Sequence, residues 1–121
     1  MMEVQDSSKL AQKKCVPCEG GVDPCPLPFV REQLEKIPGW YLTNENQRIR
    51  KDWTVKDFME GLRFFQAVAV LAEAEGHHPD LHLECYRNLS IELWTHEVGG
   101  LCENDFVLAA KIDELPVELN S

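Results

Sequence analysis

The sequence predicts an α+β fold, a four-stranded antiparallel sheet with three helices packed on one face. Three observations carry that expectation. Residues 54–76 hold the longest run with apolar side chains at helical spacing. Residues 81–94 alternate apolar and polar side chains in two short blocks, the period of strands. A second pair of short strand-like runs flanks the polar turn "TNEN" at 43–46.

Taken in order, residues 1–26 read as an irregular or flexible arm, and 27–121 as the folded domain. "MMEVQDSSKLAQKK" is polar, and "CVPCEGGVDPCPLP" crowds prolines and glycines too closely for a regular element. In "PLPFVREQLEKI", Phe29 or Val30, Leu34 and Ile37 share one side of a short helix that Pro38-Gly39 ends. Trp40 and Leu42 before the "TNEN" turn, and Ile49 after it, belong to two strands. The long helix starts at a Thr54 cap, with Asp57 three residues on at the positive end of the dipole. Val55, Phe58, Met59, Leu62, Phe65, Val68 (or Ala69) and Ala72 are its expected buried face, and Gly76 its stop. Gly61, unfavourable in mid-helix, marks a close helix packing.

Leu81, Leu83 and Cys85, then Leu89, Ile91 and Leu93, supply the apolar face of a hairpin turning near Arg87-Asn88. A last helix follows Gly99-Gly100, with Leu101, Leu108, Ile112 (or Ala109) and Leu115 on its apolar side.

The net charge of −9 argues against a binder of phosphate backbones or of anionic membranes, but permits a small neutral ligand. No apolar run is long enough to cross a bilayer. The N-terminus lacks the apolar core of a secretory signal and the arginines of a transit peptide. Five cysteines, an odd number, then read as reduced thiols of a cytoplasmic protein, an organelle remaining open if a presequence was removed.

Three of the four histidines, His77, His78 and His82, fall in "EAEGHHPDLH". A metal site is the weaker reading. His78 and His82 are four apart, but Gly76 and Pro79 exclude the helix that would align them. His82 belongs to the polar face of a strand. "CVPC", Cys15 to Cys18, has zinc-like spacing but no second pair, so small residues of an irregular arm are the plainer account. Acid–base chemistry fits better, because a "HHP" turn between a helix end and a strand start can point two imidazoles into one pocket. His96 follows the hairpin, and Asp105 in the first turn of the last helix can both serve that helix end and orient an imidazole.

Glu73 four residues before "HHP", then Tyr86, His96 and Asp105, together with "PGWYL", "KDFMEGLRFFQAVAVLAE" and "THEVGGLCENDFVLAAKI", resemble the pterin-4a-carbinolamine dehydratases. That family is related to the dimerisation cofactor of a homeodomain transcription factor. The similarity runs from about Pro28 to Leu115. It implies dehydration of a 4a-hydroxytetrahydropterin to the quinonoid dihydropterin in tetrahydrobiopterin-type cofactor recycling, with no metal or organic cofactor. By resemblance His77, His78 and His96 are the catalytic, substrate-binding histidines: His78 the base, His77 the assistant in protonating the departing hydroxyl, His96 the binder. Asp105 would orient His96, Glu73 would anchor the histidine turn, and Trp94, with Tyr86 in support, would stack on the pterin. The resemblance also implies a homodimer or homotetramer, and admits a transcription-factor partner or a non-catalytic, molybdopterin-related role.

Overall fold

The structure, a computed structural model, describes residues 3–15 and 23–120. Helix α1 spans Ser7–Gln12, α2 Leu27–Glu35, α3 Phe58–Glu75 and α4 Glu103–Asp113. Strands β1 (Tyr41–Thr43), β2 (Arg48–Thr54), β3 (Asp80–Glu84) and β4 (Asn88–Leu93) form one antiparallel sheet in the order β1-β2-β4-β3. The α+β class is the expected one, with one helix more than expected.

That extra helix corrects the reading of residues 7–12 as irregular. Asp6 caps α1 by accepting the Lys9 N–H at 2.9 Å, and Leu10 is buried against the core. One apolar residue in a six-residue helix is too weak a periodicity to see in the sequence. Cys18 lies outside the described residues.

Strand pairing brings the apolar sets together. Ile49, Trp53, Leu89, Ile91 and Leu93 are buried, with Ile49 opposite Leu93 and Trp53 opposite Leu89. Trp53 meets Trp40 edge-on and Phe64 of α3 at 5.3 Å between ring centroids. The "TNEN" turn is real, with Asn44, Glu45 and Asn46 all at positive φ. The hairpin turns earlier than expected, at Cys85 and Tyr86. Both have φ near +50°, the geometry that matches the twist of two paired strands.

Helix α3 departs from expectation in cap and face. Thr54 ends β2, and Asp57 is the cap, accepting the Glu60 N–H at 2.9 Å. The face turned inward is Gly61, Phe64, Val68 and Ala72, while Phe58, Met59, Leu62 and Val70 stay exposed. An apolar residue at nearly every helical position leaves the direction of the core ambiguous. The deciding position is Gly61. A Cβ there would stand 3.1 Å from Leu89 Cδ2, so its missing side chain lets the helix lie close on β4. Helix α4 is buried from Asn104 to Ala110, because α1 packs against it as well as the core.

Candidate functional site

The site forms where α3 ends, β4 ends and α4 begins. Gly76 closes α3 in the left-handed conformation at φ 67°, and the His77 N–H reaches back to the Ala72 carbonyl at 3.2 Å. This helix end fixes where the chain leaves, so His77, His78 and Pro79 make the short link to β3. After β4, Thr95 and Gly100 exchange backbone hydrogen bonds at 2.8 and 3.3 Å around a single 3-10 turn, His96–Val98. Gly76, His77, His78, Trp94, His96 and Glu97 line one cleft of about 280 Å³. The Trp94 and His96 rings meet edge-on at 5.5 Å, and the Arg48 guanidinium lies 4.6 Å from the Trp94 ring centre.

Asp105, fully buried at the third position of α4, is the hub. One oxygen, Oδ1, stands 2.6 Å from His77 Nε2. The other accepts the Thr95 hydroxyl at 2.8 Å and the Cys102 N–H at 2.9 Å. A buried carboxylate is tolerable only when so surrounded, and here three groups satisfy it. The same residue therefore caps the start of α4 and fixes one imidazole. The expectation that Asp105 orients His96 is corrected: its imidazole is that of His77. Thr95 takes the place beside Asp105, since its side chain points inward while the next residue, His96, turns out to the cleft.

The two members of the histidine pair differ sharply. The His77 side chain is 12% exposed and its partner Asp105 0%. His78 is 63% exposed and pairs with Glu73 at 77%, a contact that water screens. Glu73 thus does bond the histidine turn, but weakly, whereas Asp105 holds its ring in place.

His82 faces Ser90 across the β3–β4 ladder, with Nε2 3.7 Å from Glu92 Oε1, outside the cleft. Tyr86 is exposed at the hairpin turn under the Arg87 guanidinium and does not line the cleft. Among the described residues, no group of three His, Cys, Asp or Glu side chains is placed to hold a metal ion. Burial pushes the Cys15 and Cys25 thiols up to about 12, aided by the Glu75 carboxylate at Cys15 and by Cys102 at Cys25. Both are protonated near neutral pH. Thr95 and Cys102 carry the site without having been singled out from the sequence. "THE" directly before a helix-capping segment was the available signal, since a threonine next to a functional histidine faces the opposite way in extended chain.

Residues 27–115 match the family model described as pterin 4 alpha carbinolamine dehydratase. The chain belongs to the pterin 4 alpha carbinolamine dehydratase family. It is 52% identical over 112 residues to "Pterin-4-alpha-carbinolamine dehydratase 2, mitochondrial" of Arabidopsis thaliana, covering 90% of this chain but 60% of that protein's length. It is 42% identical to a putative pterin-4-alpha-carbinolamine dehydratase of Rickettsia bellii, covering 88% of this chain and 93% of the relative. The crystal structure of a transcriptional coactivator/pterin dehydratase from Brucella melitensis superposes with a TM-score of 0.70 at 26% identity, over 75% of this chain and 96% of that one. The family match begins at the first residue of α2, so α1 and Cys15 precede it.

Proposed function

We propose that this family member is a dehydratase that converts a 4a-hydroxytetrahydropterin to the quinonoid dihydropterin and water. The observation that carries the reading is that His77, His78 and His96 line one cleft in a chain of this family. The reaction needs two proton transfers. The 4a-hydroxyl must be protonated to leave as water, and a ring nitrogen must lose a proton as the C=N bond forms. His77, held at Nε2 by Asp105, keeps Nδ1 for exchange with substrate and delivers the proton to the departing oxygen. His78, at the open rim, is the base. His96 and Trp94 bind and orient the pterin, whose near-planar pyrimidine part suits an indole face.

The test is direct. Purified full-length chain added to 4a-hydroxytetrahydropterin should raise the dehydration rate above the spontaneous one, and H77A, H78A and H96A should each lose about 10²-fold or more of the gain. If H78A turns over normally while H82A does not, the role assignment is wrong. An absence of acceleration would leave the second reading, a pterin-binding or partner-stabilising protein.

The exposed apolar strip of α3 favours assembly as well: Phe58, Met59, Leu62 and Val70 lie open on a single helix. We propose a homodimer or homotetramer joined there. The proposed compartment is the cytoplasm, or an organelle as in the Arabidopsis relative's name. Among the described residues, no helix is long and apolar enough to cross a membrane.

A further inference from the structure

The His77–Asp105 bond joins the end of α3 to the start of α4, and the segment 3–15 is fastened to both sides of it. On the α3 side, Glu75 lies two residues before His77. Its Oε1 accepts the Cys15 N–H at 2.8 Å and its Oε2 the Lys111 ammonium of α4 at 2.9 Å. Burial alone would raise the Glu75 carboxyl, but the Cys15 N–H and Lys111 outweigh it and hold it below the ordinary range. On the α4 side, Glu103 lies two residues before Asp105 and meets the Lys13 ammonium at 2.8 Å. Cys15 Sγ sits 3.7 Å from the Asn104 carbonyl, one residue before Asp105. Leu10, 1% exposed, seats α1 against α4, and Gln33 of α2 exchanges bonds with the Gln5 backbone at 3.0 and 2.7 Å.

We propose that residues 3–15 act as a clasp that sets the distance between His77 and Asp105, with Leu10 and Cys15 as positioning residues for the dehydratase chemistry. The inference rests on the reaction proposed above, yet it makes a claim about geometry that stands apart from turnover. Three attachments of the segment, Cys15 to Glu75, Cys15 to Asn104 and Lys13 to Glu103, fall within two residues of one partner of the pair, while Leu10 and the Gln5–Gln33 bonds anchor its other end. Cys15 works through its N–H and its uncharged thiol, not as a nucleophile. A proton-transfer site tolerates little displacement, so a loosened clasp lowers the rate of the chemical step more than it weakens substrate binding.

The experiment uses the full chain labelled with ¹⁵N at histidine. The ring proton on His77 Nε2 should give a downfield resonance, identified by its loss in D105N. In L10A that resonance should shift or broaden and kcat should fall about tenfold with KM little changed. L10M should restore both. L89V, a core substitution beside Gly61 at the other end of α3, serves as the control for stability alone. It should lower the melting temperature and leave the His77 signal intact. An unchanged His77 resonance and kcat in a destabilised L10A would overturn the clasp. If the wild-type chain shows no dehydratase activity, the reaction falls, and the His77 resonance still decides the clasp.

Discussion

Thr95 shows how much one hydroxyl can do at this site. It donates to a buried carboxylate that also fixes His77, and its neighbour in the chain is His96. One residue therefore sets the spacing of two histidines that are distant in sequence. T95V keeps the shape but removes a donor from Asp105, and should cost about 1–3 kcal/mol of stability by urea denaturation. Its turnover should drop as well, and T95S should recover both. A T95V protein with wild-type stability would mean that the Thr95–Asp105 bond contributes nothing. At this scale the sequence named His77, His78, His96, Trp94 and Asp105 for one region, and the cleft contains or borders all five. It did not show which imidazole Asp105 would hold. That choice depends on how α4 packs against the end of α3, a tertiary fact that residue spacing does not encode.

Among the elements, α3 is the most instructive. Its Gly76 stop and the tight packing at Gly61 were legible, because each follows from local chemistry, whereas its start was expected at Thr54, three residues before the actual cap at Asp57. Its buried face was legible only in part: Val68 and Ala72 are buried as expected, but Phe58, Met59 and Leu62, as apolar as Phe64, stay exposed. G61A sharpens the point. Alanine favours the helix by about 1 kcal/mol, but its methyl would press on Leu89, an overpacking that costs about 1–3 kcal/mol. The net effect in denaturant melts should be destabilising. G76A has open space around the new methyl but forces a left-handed backbone on a non-glycine, and should cost about 1–2 kcal/mol. Because it tilts the histidine turn, activity should fall further than the melting point suggests.

The N-terminal end of α3 offers a pH-dependent contact. Glu60 bonds Arg63, which holds its carboxyl down at about 2, and it also accepts the Glu118 N–H at 2.8 Å. The depressed value means that this contribution is complete above the ordinary 4.5 and disappears as pH falls through about 2. Amide resonances around Glu118 should therefore move with a midpoint near pH 2 in the wild type. In E60Q they should show no such titration.

For the whole molecule, the exposed strip on α3 sets the expectation for size in solution. Gel filtration should show an assembly larger than one chain, and M59E with L62E should reduce it to a monomer. A wild-type protein that already elutes as a monomer would remove this assignment. The α+β architecture was readable because strand and helix periods alternate cleanly from Leu27 onward. The docking of α1 was not, because it depends on a single leucine and on polar contacts made far along the chain.

The sheet order carries one more consequence, and it concerns time. The central partners β2 and β4 are separated in sequence by all of α3 and β3, and the histidine link lies inside that interval. Pairing them closes a long loop, which is entropically slow compared with forming either the helix or the β3–β4 hairpin. His77 and Asp105 lie on opposite sides of β4 in the chain, and α3, which carries the histidine turn, packs on this central pair through Phe64 against Trp53 of β2. During refolding from urea, recovery of dehydratase activity should therefore track the slow burial of Trp53 and lag behind the rise of helical signal.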